Sequence, residues 1–338
     1  MYRGLVTAAA AAGIATAWYL HKKHRRRADE EEPFVLLPIT SETTVRKMAS
    51  LPLRATDVFV ASYPKSGTTW MQHIVHTLAT NGASPLSHIS DACPFYDVDA
   101  TWSDGDGAVL GEEVCSKHAK LGRRIFNTHL RWEMMPKSHE GERYVYMIRR
   151  PADACVSFFH HLCHQAEEDG GFVGSFEEFA KEWTGGRALF GSWSAHIKSW
   201  LGSDGKSCAA TDPRVLVVSY EELKADPRKQ IRRVNAHCRF GLSDARIDEL
   251  LPRFSFEWMR EHEAHFNPRS VTWVEPSAAA ADGAGGIKPE DEFHFIRAGR
   301  VGDGNEAFAS AERRAAMHSM AKRSFPDGVP ELVARLLP

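Results

Sequence analysis

The chain has 338 residues, 43% hydrophobic and 25% charged, which indicates a globular protein with room for one large domain or two small ones. Its net charge of −2 is uneven, because positions 1–28 hold six basic and no acidic residues and leave 36 basic against 44 acidic residues elsewhere. A body this acidic excludes a general nucleic-acid binder, so no nucleic-acid partner is expected.

The N-terminal segment, residues 1–27, joins an apolar run to a basic flank. Residues 4–20 carry no charge, and the sequence HKKHRRR follows them. Because more positive charge follows the run than precedes it, the segment predicts a membrane anchor with the C-terminal body of the chain facing the cytosol. An organelle-targeting peptide, an interfacial helix and a soluble cytoplasmic protein are the alternatives. Residues 28–50 are predicted to be a linker.

Short apolar runs alternate with helical patterns along the body of the chain. The candidate strands are residues 57–62, 124–128, 143–148 and 215–219. Nearly continuous apolar strands are typical of parallel sheets that are covered on both faces. Asp226 and Pro227 predict the start of a later helix. We therefore expect one α/β domain over residues 51–335, with a mostly parallel central sheet and helices on both faces.

The sequence SYPKSGTTW, residues 62–70, joins the first strand to a helix. In such a P-loop-like turn the backbone N–H groups at the helix start can bind an anion, and Lys65 adds a positive charge. Gly67 allows the backbone to approach a ligand closely. The loop differs from the usual nucleotide-binding loop because Lys65 precedes Gly67. A nucleotide kinase or NTPase and a plain strand–helix turn remain alternative interpretations.

Five segments in chain order resemble the cytosolic sulfotransferase family. YPKSGTTW matches the family's sulfonate-donor loop at every position. The other segments are NTHL, RYVYMIRRPADACVSFFHH, VLVVSYEELKADPRKQI and FIRAGRVGD. They resemble the catalytic-histidine segment, the 3′-phosphate segment, a later strand–turn–helix and the C-terminal Arg/Gly motif, respectively. The resemblance covers residues 55–310 approximately.

The resemblance implies a sulfotransferase that moves a sulfonate group from 3′-phosphoadenosine 5′-phosphosulfate (PAPS) to a hydroxyl or amine of a small molecule. His129 matches the general base, and Lys65 matches the cation that stabilises the leaving phosphate. This chemistry needs no metal. The donor-binding residues that the resemblance implies are Lys65, Ser66, Gly67, Thr68, Thr69, Trp70, Arg149, Ser157, Tyr220, Phe256, Arg297 and Gly299.

The acceptor site is expected to be apolar, which favours a phenol, alcohol, sterol or lipid-like substrate. Phe95, Phe158 and Phe159 are its candidate wall residues. Residues 276–286 are low in complexity, and they are predicted to form a mobile lid over the acceptor.

Three positions depart from the family pattern. Asn127 stands where the family commonly has Lys, Ala298 stands in the Arg-Lys-Gly motif, and Gly304 stands where a Trp usually follows Gly-Asp. A catalytically silent PAPS-binding protein is therefore another alternative. His160, Cys163 and His164 have one-turn spacing, but no second ligand pair accompanies them and no metal site is predicted. The oligomeric state stays open.

Overall fold

The computed structural model describes residues 34–83, 86–105, 107–138, 140–202, 211–283, 285–288 and 293–338. The strands are β1 Val58–Ser62, β2 Ile125–Thr128, β3 Arg143–Ile148 and β4 Val215–Ser219. The α-helices are α1 Glu42–Ser50, α2 Thr68–Ala79, α3 Ile89–Ala92, α4 Glu112–Leu121, α5 Pro151–Cys163, α6 Phe176–Thr184, α7 Trp193–Leu201, α8 Tyr220–Ala225, α9 Pro227–His237, α10 Asp244–Leu250, α11 Phe256–Glu261, α12 Ala311–Ser324 and α13 Glu331–Ala334. Short 3₁₀ turns span Asp99–Thr101, Trp132–Met134, Glu167–Asp169, Leu251–Phe254, Glu263–His265 and Ala278–Ala281.

The four strands form one parallel sheet in the order β2-β1-β3-β4. Val58 on β1 is in register with Ile125 on β2 and with Arg143 on β3. This confirms the predicted α/β class and all four predicted strands. Since the strands are parallel, the residues that follow them meet at one edge of the sheet, where ligands bind in open α/β folds.

Both faces of the sheet are buried. Consecutive side chains of a strand point to opposite faces, so each strand contributes to two separate apolar clusters. Phe59 and Ala61 pack into one apolar cluster with helices α5 to α7 and α12. Val58 and Val60 pack into a second cluster with helices α2, α9 and α10. The apolar runs in the sequence are nearly continuous for this reason, as expected for strands covered on both sides.

Local capping signals set the start of the helices that border the site. Pro151 occupies the first turn of α5, where a missing N–H costs nothing. Helix α9 begins as predicted, since Asp226 accepts a hydrogen bond from the backbone N–H of Lys229 at 3.0 Å. These starts fix the direction in which each helix leaves the ligand-binding edge.

The predicted linker, residues 28–50, contains a packed helix at its C-terminal end. Ser41 caps helix α1 by accepting from the N–H of Thr44 at 3.2 Å, and Met48 is only 1% exposed within the core. The structure differs here because α1 has an amphipathic pattern that tertiary packing stabilises. The apolar N-terminal segment, residues 1–27, lies outside the described residues. Within the described ranges, none of the helices has the length and hydropathy to cross a membrane.

A buried ion pair joins the amino ends of β1 and β2. Asp57 is fully buried, and its carboxylate accepts from the guanidinium of Arg124, with Nε to Oδ1 at 2.8 Å. The same carboxylate accepts from the N–H of Arg54, and Arg124 also donates to the carbonyl of Pro52 at 2.7 Å. Two hydrogen bonds from the guanidinium and one from the backbone therefore stabilise the carboxylate, as a buried ion pair requires.

We expect Asp57→Ala to lower the free energy of unfolding by about 3–5 kcal/mol, because it leaves the Arg124 guanidinium buried without its counter-charge. Urea unfolding followed by circular dichroism measures the change. Asp248→Ala is the matched control, since Asp248 pairs with Arg228 on the exposed surface and such pairs contribute little. Equal losses in the two variants would contradict the role assigned to Asp57.

Candidate functional site

A cavity of about 630 Å³ opens at the carboxyl edge of the sheet. The residues that follow the four strands reach its wall: Lys65 after β1, His129 after β2, Arg149 after β3 and Tyr220 after β4. Every predicted site residue except Ser66 and Phe159 lines this cavity. The fold therefore brings together residues that lie up to 234 positions apart, between Lys65 and Gly299.

The loop between β1 and α2 is held in an unusual backbone conformation. Lys65 and Gly67 have φ angles of 62° and 94°, in the left-handed region. A Cβ at Gly67 would lie 2.8 Å from Cδ2 of Tyr220, so glycine is required both by φ and by space. The hydroxyls of Ser62 and Thr68 lie 2.5 Å apart and brace the two ends of the loop.

Arg149 connects the loop to the C-terminal motif. Its guanidinium donates to the carbonyl of Lys65 at 2.9 Å and to the carbonyl of Arg300 at 3.3 Å. It also lies 4.4 Å from the centre of the Tyr220 ring, within cation–π range. Its Nε is buried and has no partner among the described residues. Arg149 thus holds the backbone on two sides and keeps a donor for a ligand.

The C-terminal motif packs against the start of α5. The buried carboxylate of Asp153 accepts from the N–H groups of Gly302 at 2.9 Å and Gly304 at 2.8 Å. A Cβ on Gly304 would lie 2.4 Å from the backbone of Ala152, so this close approach needs glycine. Upstream, Arg297 pairs with Asp303. Glycine at position 304 therefore allows this segment to approach the start of α5 closely.

Aromatic rings and a glycine form the part of the cavity wall next to the β1–α2 loop and Arg149. Trp70 donates from Nε1 to the carbonyl of Phe254 at 2.8 Å, and its ring meets Tyr220 edge to face at 5.6 Å. Phe256 packs on Gly299, whose φ of 59° and lack of side chain allow the contact. Flat apolar rings beside basic side chains form a surface suited to a nucleobase next to phosphate.

Lys65 sits among other cations in a desolvated position. Burial, together with the charges of Arg297 and Arg149, lowers the pKa of its ammonium from 10.5 to about 7. Its Nζ lies 4.5 Å from the centre of the Phe295 ring. Near neutral pH the lysine is only partly charged, and an anion in the cavity would favour the charged form.

His129 lies between β2 and the loop in a defined tautomer. Its Nδ1 donates to the carbonyl of Ser62 at 2.8 Å, which leaves Nε2 as the hydrogen-bond acceptor. Burial and the nearby charge of Lys65 lower the pKa of the imidazole to about 4. At neutral pH the ring is uncharged and able to accept a proton at Nε2.

The backbone of His129 is fixed by a buried carboxylate that the sequence does not single out. Asp97 is fully buried and accepts from the N–H of His129 at 2.7 Å and from the hydroxyl of Thr128 at 2.5 Å. Burial raises the pKa of this carboxyl from 3.8 to about 7. His196 donates from Nε2 to the carbonyl of His129 at 3.0 Å. Both the backbone N–H and the backbone carbonyl of His129 are therefore held, which fixes the point from which its imidazole extends.

Two of the three residues predicted for the apolar wall line the cavity. Phe95 meets the His129 ring edge to face at 5.4 Å, and Phe158 also lines the cavity. Phe159 is a correction: it points to the opposite side of α5 and packs against Phe176 in the core. On the helix, Phe159 is turned about 100° further round than Phe158, away from the side that Ser157 and Phe158 present to the cavity.

The predicted lid, residues 276–286, does not border the cavity through any residue that the structure describes. Its Ala278–Ala281 segment forms a 3₁₀ turn, and Ala280 is buried in the core. Residues 268–271 line the cavity instead. The low complexity of this segment predicted a mobile lid, but its small side chains are short enough to pack closely against the rest of the domain.

Several wall residues were not predicted. Phe190 packs edge to face on His129 at 5.1 Å, and His161, Leu37 and Ile39 also line the cavity. Phe190 has a φ of 64°, but no local sequence signal distinguishes it. His161 lies one turn after Ser157 on α5, so helical spacing from the predicted site is the signal that could have found it.

Metal-ligating side chains do not form a cluster in the described part of the chain. His164 donates from Nδ1 to the carbonyl of His160 at 2.7 Å, and its ring stacks on Phe293 with centroids 4.4 Å apart. This local packing explains the spacing that resembled a zinc pair.

The chain is similar to sulfotransferases along most of its length. The family model described as a sulfotransferase domain matches residues 55–322. Human sulfotransferase 1C2 is 26% identical over 290 residues, which cover 84% of this chain and 88% of that protein. Human sulfotransferase 1E1 is 31% identical over 214 residues, covering 62% of this chain and 68% of the relative.

Two solved structures share the fold. A mouse sulfotransferase complexed with PAP superposes with a TM-score of 0.63 at 21% identity, covering 91% of this chain and 97% of the other. Retinol dehydratase in complex with androsterone and the inactive cofactor PAP gives a TM-score of 0.60 at 22% identity, with 83% and 84% coverage. At these identities the likeness establishes the architecture alone.

The lowered pKa of Lys65 predicts that anion binding weakens as pH rises through about 7. Below that pH the ammonium is charged and attracts the ligand, whereas above it the free protein must take up a proton to bind. Calorimetric titration with adenosine 3′,5′-bisphosphate between about pH 6 and about pH 8 measures the effect. Lys65→Arg should flatten the profile, because guanidinium stays charged. A wild-type affinity that is constant over this range would contradict the assignment.

Proposed function

Because the chain belongs to the sulfotransferase family, we propose that it transfers a sulfonate group from PAPS to a hydroxyl or amine of an apolar small molecule, with His129 as the general base. The similarity to sulfotransferases supports the reaction, and the complexes of structural neighbours with PAP support this donor. No metal takes part in the proposed chemistry.

The observation that carries the donor proposal is a set of buried polar atoms without partners. Arg149 Nε and Arg297 Nε belong to residues that line the cavity, are inaccessible to solvent and make no hydrogen bond to any described residue. Buried donors are normally satisfied, so such atoms indicate a ligand. Two guanidinium groups and a lysine around one cavity fit a ligand with more than one anionic group.

The donor fits this wall in two parts. The loop N–H groups, Lys65 and the hydroxyls of Thr68 and Thr69 would hold the 5′-phosphosulfate. Arg149, Ser157, Arg297 and Gly299 would hold the 3′-phosphate. Trp70, Tyr220 and Phe256 would contact the adenine through their rings. PAPS supplies an activated sulfonate whose sulfur–oxygen bond to the 5′-phosphate breaks during transfer.

The chain's residues then perform three tasks. His129 Nε2 accepts the proton of the acceptor hydroxyl as its oxygen attacks the sulfur. The Lys65 ammonium stabilises the negative charge that collects on the departing 5′-phosphate oxygen. The apolar wall around Phe95 and Phe158 orients the acceptor and excludes water. Asn127 lies beside this point with its Oδ1 buried and unpartnered by any described residue, but it contributes no charge.

Donor binding is tested by calorimetric titration with adenosine 3′,5′-bisphosphate, ATP and AMP. We expect the bisphosphate to bind most tightly, and Arg149→Ala to remove most of that preference because the 3′-phosphate loses a charged partner. Arg150→Ala is the neighbouring control, since Arg150 binds Asn305 at the exposed surface. A preference for ATP with a need for Mg²⁺ would favour the nucleotide kinase alternative.

Replacing the base should separate binding from chemistry. We expect His129→Ala to bind adenosine 3′,5′-bisphosphate normally and to lose at least about a hundredfold in kcat, since general-base catalysis contributes 10²–10⁴-fold. Turnover of labelled PAPS with a panel of phenols, alcohols and sterols measures transfer. An active variant would remove His129 from this role. A wild-type protein that binds donor without any turnover would support the catalytically silent alternative.

We retain the membrane anchor at residues 1–27 as a proposal, supported by the apolar run and its basic flank. Deleting residues 1–27 is expected to move the protein from the membrane pellet to the supernatant without loss of transfer, because no described part of the site comes from that segment. Protease access in sealed microsomes decides which side the body faces. A full-length protein found in the supernatant would favour the soluble or organelle-targeted alternatives.

A further inference from the structure

His161 is a titratable side chain of the cavity wall that has no role in the proposed mechanism. It lies on α5, four residues after Ser157 and three after Phe158, so all three share one helix face. All three also line the cavity. Its position is therefore fixed by the same helix that contributes the predicted acceptor wall.

The imidazole is oriented by aromatic neighbours and not by hydrogen bonds. Its ring meets Trp273 edge to face at 5.4 Å and Phe295 at 5.9 Å. No described residue forms a hydrogen bond with either ring nitrogen, whereas the neighbouring Gln165 donates its amide to the carbonyl of Asp169. His161 is half-buried, and its ring nitrogens have no described protein partner, so a ligand in the cavity can satisfy them in place of water.

Phe295 separates His161 from the sulfonate-binding lysine. One contact of Phe295 is with Lys65 Nζ, at 4.5 Å, and another is with the His161 ring. Burial and the nearby charge of Lys65 hold the pKa of His161 well below its usual range. The ring is therefore neutral and presents one donor and one acceptor nitrogen, the pair that a hydroxyl group matches.

We infer that His161 forms a hydrogen bond with a second polar group of the acceptor, so that preferred acceptors carry a hydroxyl or carbonyl in addition to the reacting group. This inference rests on the proposed function, since it concerns the acceptor half of the same cavity. The site is then selective for bifunctional phenols or alcohols over equally apolar molecules with one polar group. His161 acts on specificity and takes no part in proton transfer.

Matched ligands on one rigid ring test the inference. Calorimetry measures the affinity of naphthol and of dihydroxynaphthalenes whose second hydroxyl is placed at different positions, each with saturating adenosine 3′,5′-bisphosphate. We expect wild-type protein to bind at least one diol about tenfold more tightly than naphthol, as a well-placed hydrogen bond to a neutral group allows.

His161→Phe should abolish that preference while leaving naphthol binding nearly unchanged, because Phe fills similar space without nitrogen atoms. His161→Gln should keep part of it, since the amide can donate and accept. His164→Phe is the control on the same segment, because the His164 nitrogen bonds within the fold. Thermal unfolding of each variant verifies that it is folded.

The inference is overturned if wild-type protein prefers no diol, if His161→Phe keeps the preference, or if it weakens naphthol and diol equally. Failure of the proposed function has a different signature: absent bisphosphate binding, or absent transfer from labelled PAPS. In that case the same titrations without nucleotide still compare wild type with His161→Phe, and loss of the diol preference still supports the role of His161.

Discussion

The hydrogen bond from the Arg149 guanidinium to the carbonyl of Lys65 determines how the site is built. It joins the end of β3 to the turn that follows β1. It also holds the carbonyl of Lys65, a residue with a left-handed φ of 62°. The same guanidinium rests on Tyr220, at the end of β4, and reaches the carbonyl of Arg300. One side chain therefore sets the positions of the loop, the aromatic wall and the C-terminal motif relative to one another.

Desolvation of positive groups is the common electrostatic feature of the cavity. It lowers the pKa of Lys65 to about 7 and that of His129 to about 4, in both cases because the charged form loses water. For His129 the result is a neutral ring whose free Nε2 can accept a proton. For Lys65 the result is a cation that gains most of its charge when an anion is present. One environment thus suits both proposed roles, a neutral base at His129 and an anion-stabilising cation at Lys65.

The sequence predicts the features that depend on neighbouring residues and misses those that depend on distant packing. The strands, the loop and the start of helix α9 follow from apolar runs, Gly67 and Asp226, all of which act locally. The support of His129 comes from Asp97, 32 positions away, and from no recognisable motif. Phe158 and Phe159 are adjacent in sequence, yet the orientation of α5 sends one ring to the cavity and the other to the core.

The Asp153 carboxylate has a consequence for the order in which the protein matures. It ties the start of α5 to Gly302 and Gly304, contacts that close loops of 149 and 151 residues. Such distant closures are costly in chain entropy, and they form only after the intervening segment has folded. During synthesis the sheet and the β1 turn can assemble well before Arg297 and Gly299 leave the ribosome. A nascent chain therefore acquires its architecture first and its capacity to hold a nucleotide last.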